Sequence, residues 1–250
     1  MDQDIVLLSH MQDLASAAYQ RGVVLFSDFL NLYELNIVRS QKWSAYGVKA
    51  VYSGGYEASE RQMTAFVPDA LCYEWDFPYT ILKISPSAPR FAETLSHRDY
   101  LGAILSLGID RSQIGDILIQ TSDALVFVCD KMVDYLIKEL VSVRHTPVIV
   151  SILSEKDFIY EPNLQEITGN IASLRLDSLI ALGFHCSRST ITPLLSEGHI
   201  FVNGRVMTSN GYHIRENDLI SVRGMGKLKY SCTINETKKG RLFVKLYRYI

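Results

Sequence analysis

The amino-acid sequence predicts an α+β protein of several domains: an N-terminal α/β region, a middle domain ordered βαββαβ, and a C-terminal domain of short helices and a hairpin. Three observations lead to this prediction. Apolar residues switch between helical and strand-like spacing, Gly- and Pro-containing turns separate these segments, and the net charge changes sign near residue 170. We expect domains at 1–75, 76–160 and 173–250, with a linker at 161–172.

The N-terminal region alternates helical and extended patterns. Apolar residues from Ile5 to Ala18 recur at steps of three and four, which predicts a first helix, and a second is predicted over Leu32 to Trp43. Strands are predicted at 48–52 and 64–67, the first ended by Gly54-Gly55. These glycines fit either a phosphate-binding nest or a strand-ending turn; we favour the turn, and Arg61 is the residue that would favour the nest.

The middle domain has the clearest order of elements. Strands are predicted at 79–84, 114–119, 124–129 and 147–153, and helices at 97–107 and 131–143, the second with Val133, Leu136, Ile137, Leu140 and Val141 facing inward. This is the ferredoxin-like split βαβ arrangement, which RNA-binding domains share with many enzymes and which therefore names no function. We interpret Phe127 as a core residue and His97-Arg98-Asp99 as a helix start with a capping aspartate, in preference to a catalytic cluster.

Charge is distributed unevenly along the chain. Residues 171–250 contain 12 Lys/Arg against 5 Asp/Glu, a balance of +7, whereas residues 1–170 contain 13 against 22, a balance of −9. A basic C-terminal domain beside an acidic body is typical of a protein in which one domain binds nucleic acid.

Composition and spacing argue against several classes of protein. No apolar run reaches the roughly 18 residues that span a membrane, and the acidic start Met1-Asp2-Gln3-Asp4 is unlike a secretion signal, so we expect a cytoplasmic protein. Cys72, Cys129, Cys186 and Cys232 lie far apart without metal-ligand spacing, which predicts reduced thiols and no metal. We expect no cofactor and no catalytic site.

The C-terminal domain is predicted to pair two short helices with a hairpin. One helix covers Leu174 to Leu182, and the next begins after Ser187, a good N-cap, and ends before Gly198. Asn203-Gly204 is a strong hairpin turn signal between a strand at 199–202 and Arg205. Arginines beside helix starts, where free N–H groups and the helix dipole attract anions, suit the binding of RNA phosphate.

This segment resembles the S-four RNA-binding domain, also called the alpha-L motif. The resemblance rests on Arg175-Leu176-Asp177, Ser187-Arg188, Gly198, Phe201-Val202-Asn203-Gly204 and Asn217-Asp218-Leu219-Ile220. It implies that Arg175, Ser187, Arg188, Asn203 and Arg205 lie on the RNA-facing surface. Asp177 has two open interpretations, an RNA-facing residue or a brace for an arginine.

The sequence departs from the family pattern in the second helix. Ile191, Thr192 and Pro193 stand where members have an alanine followed by basic residues, and Pro193 is compatible with the helix only within or near its first turn. Other cations are then expected to contribute to RNA binding, Lys227 and Lys229 above all; the remaining candidates are Arg223, Lys238, Lys239 and Arg241.

The rest of the chain resembles the bacterial YlmH-type proteins that contain an S-four domain. The similar motifs are Gly54-Gly55-Tyr56-Glu57-Ala58-Ser59-Glu60-Arg61, His97 to Gly102, Leu107 to Arg111, and Ile114 to Leu118. The resemblance implies a non-enzymatic binder of structured RNA, with ribosomal RNA and tRNA on the large ribosomal subunit as partners. It further implies a part in the quality control or rescue of stalled translation, and a possible link to cell division.

Two alternatives remain open on the sequence. Leu174-Arg175-Leu176-Asp177 is superficially similar to the catalytic motif of pseudouridine synthases, although the motif's glycine and its Thr and Gly-Leu continuation are absent. The acidic body could instead bind proteins, with the C-terminal domain serving to direct it to RNA.

Overall fold

A computed structural model describes residues 2–70, 73–120, 122–158, 160, 163–209, 211–237 and 240–249. The chain divides into two compact units, Met1–Tyr160 and Glu161–Ile250. The expected boundary near residue 75 therefore lies within one compact unit. Cys72, Lys238 and Lys239, named above, lie outside the described residues.

The N-terminal unit begins with helices packed on a small antiparallel sheet. In chain order the elements are α1 (Asp2–Arg21), β1 (Leu25–Phe26), α2 (Leu32–Arg39), β2 (Val48–Ser53) and β3 (Met63–Pro68), with sheet order β1-β3-β2. A capping box starts α2: Asn31 Oδ1 accepts from the backbone N–H of Glu34, and Glu34 Oε2 accepts from that of Asn31. The helix expected to reach Trp43 stops at Arg39, and Trp43–Tyr46 forms a 3₁₀ turn.

A larger antiparallel sheet follows in the same unit. Its elements are β4 (Tyr79–Pro86), α3 (His97–Ser106), β5 (Ile114–Ile119), β6 (Ala124–Cys129), α4 (Val133–Glu139), β7 (Ser142–Val143) and β8 (Thr146–Leu153), with sheet order β5-β6-β4-β8-β7. Without the short β7, this is the strand order of the ferredoxin-like fold, so the predicted βαββαβ arrangement is confirmed. Phe127 is fully buried, as expected of a core residue. Asp99 closes a capping box with Ser96 at the start of α3, which supports the capping interpretation of His97-Arg98-Asp99.

The helix predicted over 131–143 is shorter than expected. It ends at Glu139 because Ser142-Val143 pairs with Thr146-Pro147 in a hairpin through Arg144, whose φ is 53°. Ile137 and Val141, expected to face inward, are 39% and 66% exposed, so that part of the prediction is wrong.

One partly buried network joins the two sheets of the N-terminal unit. Asp116 of β5 accepts hydrogen bonds from the Tyr56 hydroxyl and from the backbone N–H groups of Glu60 and Arg61. The ring of Tyr56 stacks on Phe127 at 5.5 Å between centroids. Gly55, with φ of 93°, lies so close to Phe127 that an added Cβ would approach the ring to 2.1 Å. The Gly54-Gly55 segment is thus a close-packed turn against the larger sheet, as favoured above.

The C-terminal unit is a long antiparallel sheet with helices on one face. Its elements are β9 (Leu164–Ile171), α5 (Leu176–Gly183), α6 (Arg188–Ser196), β10 (Ile200–Val202), β11 (Arg205–Val206), β12 (Leu219–Val222), β13 (Gly226–Glu236) and β14 (Leu242–Tyr249), with sheet order β11-β10-β12-β13-β14-β9. Leu179 and Ile180 of α5 and Ile191 of α6 pack with Leu228 and Leu246 of the sheet in one apolar core.

The linker expected at 161–172 contains a strand of this sheet. Leu164–Ile171 pairs along its full length with β14, from Leu164 opposite Tyr249 to Ile171 opposite Leu242. Only Ile167 and Ile171 of the strand are buried, and its other residues are mostly polar. The sequence therefore shows no apolar pattern that would predict a strand here. Gly169, taken for a loop residue, has a packing role, because a Cβ there would lie 2.4 Å from Leu182 Cδ1.

Two further kinds of structural feature, a membrane-spanning helix and a metal-binding cluster, are absent from the described residues. None of the helices described here is both long and apolar enough to cross a membrane. Within the same ranges, no group of His, Cys, Asp or Glu is arranged to hold a metal ion.

Candidate nucleic-acid interface

The starts of α5 and α6 lie side by side in the C-terminal unit. Ser187 is the N-cap of α6, as predicted, and its Oγ accepts from the backbone N–H of Thr190 at 3.3 Å. The same hydroxyl lies 2.6 Å from Ser189 Oγ, and all three side chains are exposed. This helix start therefore presents hydroxyl groups and the positive end of the helix dipole to solvent.

Asp177 links two arginines at these helix starts. Its side chain is only 8% exposed and accepts from Arg175 Nε at 3.2 Å and from Arg175 Nη2 at 3.3 Å. Arg188 Nε lies 4.0 Å from Oδ2 of the same carboxylate. Of the two interpretations of Asp177, the geometry favours the brace.

Ser178 is a site residue that the sequence analysis missed. Its buried hydroxyl accepts a hydrogen bond from Arg188 Nη2 at 2.7 Å, which fixes Arg188 to α5. The side chains of Arg175 and Arg188 remain 39% and 57% exposed, so each presents part of its guanidinium to solvent. A small polar residue after an aspartate is too common a pattern to have signalled this role.

The hairpin turn contains Asn203, one of the predicted RNA-binding residues, and Arg205 follows the turn. Asn203 and Gly204 have φ of 48° and 77°, as the predicted two-residue turn requires. Both ends of the Asn203 amide are engaged inside the protein: Nδ2 donates to Asp218 Oδ1 at 2.8 Å, and Oδ1 accepts from the Leu219 backbone N–H at 2.9 Å. Asn203 therefore fixes the turn to β12.

Arg205 follows the turn on β11 and is exposed. The described residues offer its side chain no hydrogen bond or ion pair. The hairpin lies beside the end of α6, since a Cβ added at Gly198 would lie 3.4 Å from Val206 Cγ1. At 1.5 Å per residue, the nine residues of α6 separate its two ends by roughly 13 Å. Arg188 marks one end of the helix, and Arg205 is near the other.

Lys227 and Lys229 lie on the opposite face of the sheet from the helices. Leu228 and Tyr230, which alternate with them along β13, point into the core under α5 and α6. The structure thus brings Arg175, Ser187 and Arg188 together and leaves these lysines on a separate surface. Lys245 of β14, not considered in the sequence analysis, forms an ion pair with Glu166 at 3.2 Å.

Pro193 lies deeper in α6 than expected. It is the sixth helical residue, beyond the first turn, and its side chain is exposed. The helix continues past it, with the Glu197 N–H donating to the Pro193 carbonyl at 2.9 Å. The expectation that Pro193 belongs near the first turn is wrong; its outward position makes it compatible with this short helix.

The comparisons with known proteins agree with this division of the chain. A family described as "Putative RNA-binding domain in YlmH" matches residues 73–157, and the S4 domain family matches residues 174–220. The Ribosome-associated protein quality control protein P2 of Bacillus subtilis (strain 168) is 26% identical over 224 residues, covering 89% of this chain and 86% of that protein.

Two further similarities are more limited. Small ribosomal subunit protein uS4 of Thermosipho africanus is 42% identical over 50 residues, which is 20% of this chain and 24% of that protein. The solved structure named cell division protein ylmH from Streptococcus pneumoniae superposes with a TM-score of 0.53 at 22% identity, covering 64% of this chain and 96% of that one. This last similarity shows the fold alone. Taken together, the two family matches give this chain a YlmH-type RNA-binding domain followed by a C-terminal S4 domain.

Proposed function

We propose that this protein binds structured RNA on the ribosome through its S4 domain, as a binding protein without catalytic activity. The observation that supports this most directly is the Arg175–Asp177–Arg188 network. A buried carboxylate fixes two partly exposed guanidinium groups beside two helix starts, an arrangement suited to RNA phosphates. Such contacts recognise the shape of a folded RNA more than its sequence.

The finer parts of the proposal concern the particle and the process. We propose ribosomal RNA of the large subunit and tRNA bound to it as the RNA partners, and quality control or rescue of stalled translation as the process. The Bacillus subtilis relative, similar over most of both chains, is named as a ribosome-associated quality control protein. In this role the protein works in the cytoplasm. A link to cell division stays a prediction from the family resemblance.

Asp177 also bears on the enzyme alternative. A catalytic aspartate must contact its substrate, whereas both oxygens of Asp177 accept hydrogen bonds from Arg175 and the side chain is 8% exposed. The two matched families are described as RNA-binding in one case and as the S4 domain in the other. These observations favour a binding protein.

Co-sedimentation with ribosomal particles through a salt series tests the proposal. We expect association with large subunits that falls with salt, and loss of that association in Arg188→Ala/Arg205→Ala. Each phosphate contact removed should reduce the slope of log affinity against log salt by about one unit. The matched control is Arg21→Ala/Lys49→Ala, which removes the same charge from exposed positions outside both matched RNA-binding families. Equal loss in both double variants, or no association of wild type at low salt, would contradict the proposal.

A further inference from the structure

A cleft of about 690 Å³ opens in the N-terminal unit and is lined by residues of that unit. This volume is in the range of small-molecule sites, roughly 300–1,000 Å³. Leu7, Met11 and Leu14 of α1 form an apolar wall, with His10 exposed at the same wall. The polar residues of the lining include Arg61 and Arg111, both within motifs that the proposed function does not use.

The two arginines lie side by side against the same backbone. Arg61 Nε donates to the Ile114 carbonyl at 2.9 Å, and Arg111 Nη1 donates to that same oxygen at 2.5 Å. Arg61 Nη2 also donates to the Arg111 carbonyl at 3.1 Å. Two guanidinium groups that share one acceptor are in direct proximity, with like charges adjacent.

Among the described residues, three of the six guanidinium nitrogens of Arg61 and Arg111 have no hydrogen-bond acceptor. Internal acceptors engage Nε and Nη2 of Arg61 and Nη1 of Arg111, while Arg61 Nη1 and Arg111 Nε and Nη2 have no acceptor among the described residues. These atoms are not sealed in the core. In the described ranges, the buried side-chain polar atom without a partner is Thr64 Oγ1. The remaining guanidinium donors are therefore accessible at the cleft that both arginines line.

The charges of this pair are only partly compensated, by attraction to Glu34 and Asp116 at longer range than an ion pair. Among described residues, no carboxylate oxygen comes within 4 Å of either guanidinium. Glu34 lines the cleft, but its Oε2 accepts from the Asn31 N–H at 2.7 Å, and Asp28 pairs with Lys131 at 3.1 Å. Burial, followed by the repulsion of Arg61, lowers the pKa of Arg111 to about 10. An anion bound here attracts both guanidinium groups and so offsets their mutual repulsion. It also supplies acceptors for the guanidinium nitrogens that have none.

We propose that this cleft binds the phosphate group of a nucleotide, held by the free donors of Arg61 and Arg111, with the nucleoside against the apolar wall of α1. Arginine presents a planar fork of donors that matches phosphate geometry, and two adjacent forks suit a doubly charged phosphomonoester. The phosphate has two possible sources, a free mononucleotide or the 5′ end of an RNA chain. The proposal is independent of RNA binding by the S4 domain.

Isothermal titration calorimetry on the full chain at low salt tests the site with three probes. These are adenosine 5′-monophosphate, a dinucleotide with a 5′-phosphate, and the same dinucleotide without it. We expect the two phosphorylated probes to bind and the unphosphorylated one to bind at least about tenfold more weakly, a difference of 1.4 kcal/mol. Tighter binding of the mononucleotide supports a free nucleotide as ligand, and tighter binding of the phosphorylated dinucleotide supports an RNA end.

Variants separate the cleft from the rest of the surface. His10→Trp fills the cleft mouth from an exposed position of α1 and leaves both arginines intact, so mononucleotide binding should fall about tenfold or more. Val6→Trp, at a residue 68% exposed on the same helix and outside the lining, is the control and should bind as wild type. No heat with either phosphorylated probe, or equal binding by wild type and His10→Trp, overturns the proposal.

Discussion

Asp177→Asn tests whether the arginines of the S4 domain work by position or by charge alone. The substitution keeps the size of the side chain but removes its negative charge. It also replaces one of two acceptor oxygens with a donor that faces the guanidinium of Arg175. Arg175 then loses the charged group that fixes it, and Arg188 loses its ion pair but keeps its hydrogen bond to Ser178, while both positive charges remain.

The expected loss of stability is modest. Two hydrogen bonds link Arg175 to the carboxylate. A typical hydrogen bond to a charged group contributes about 1.5–3 kcal/mol net to stability. Because the arginine is 39% exposed, solvent screens the pair, and we expect a total loss of about 1–2 kcal/mol in the free energy of unfolding. For a unit of this size each kcal/mol lowers the midpoint by roughly 4–8 °C, which calorimetry can measure.

The effect on RNA binding has opposite signs under the two explanations. If only charge mattered, removal of a negative group beside the phosphates would strengthen binding. Because we hold that Asp177 positions the two guanidinium groups, we expect binding to a structured RNA to weaken about tenfold, or 1.4 kcal/mol. The salt slope should stay near that of wild type, since no cation is removed.

Fluorescence anisotropy with a labelled RNA hairpin, repeated over a salt series, measures both quantities. Asp218→Asn, which alters the other buried aspartate of the S4 domain at the base of the hairpin turn, serves as the comparison for a structural change away from the arginines. Tighter RNA binding by Asp177→Asn would refute the positioning argument.

Three further predictions concern other parts of the chain. Asp116→Asn should lower the stability of the N-terminal unit by about 2–3 kcal/mol, because three donors share this carboxylate; Tyr56→Phe, which removes one of them, should cost about 1 kcal/mol in thermal melts. Cys129 should resist alkylation at pH 8 in peptide mapping by mass spectrometry, because burial, then Asp28, raises the pKa of its thiol to about 12 and leaves almost no thiolate; rapid labelling of the folded protein would contradict this. A fragment of residues 161–250 should be monomeric by light scattering, whereas 173–250 should aggregate, because loss of β9 exposes the whole hydrogen-bonding edge of β14.

The sequence predicted the elements whose signals are local. The strands at 114–119 and 124–129 agree with prediction to the residue, because apolar runs and polar turns bound them. Ser187 and Asn203-Gly204 were found because caps and tight turns restrict residue type at single positions. The α+β class and the βαββαβ order followed from these local signals.

Features that depend on distant partners were missed or misplaced. Strand β9 has only Ile167 and Ile171 buried, and its pairing with β14 involves residues about 80 positions away in the chain. The sequence around Arg61 does not indicate that its side chain donates to the backbone carbonyls of Phe29, Arg111 and Ile114, because only folding brings these residues together. The part that Asn203 plays in fixing the turn was missed because its contacts to Asp218 and Leu219 are not visible in the sequence. Its assignment to the RNA-facing surface stays a prediction.

The pairing of β9 with β14 also brings the two ends of the C-terminal fold together, with Leu164 directly opposite Tyr249. A chain that enters and leaves a domain at neighbouring points can be joined to another protein without threading through the domain or opening its sheet. The same geometry permits circular permutation, with a short connection between residues 249 and 164 and new ends in an exposed loop such as the one at Gly224. Both ends of this fold can therefore be linked to other domains at one edge of its sheet.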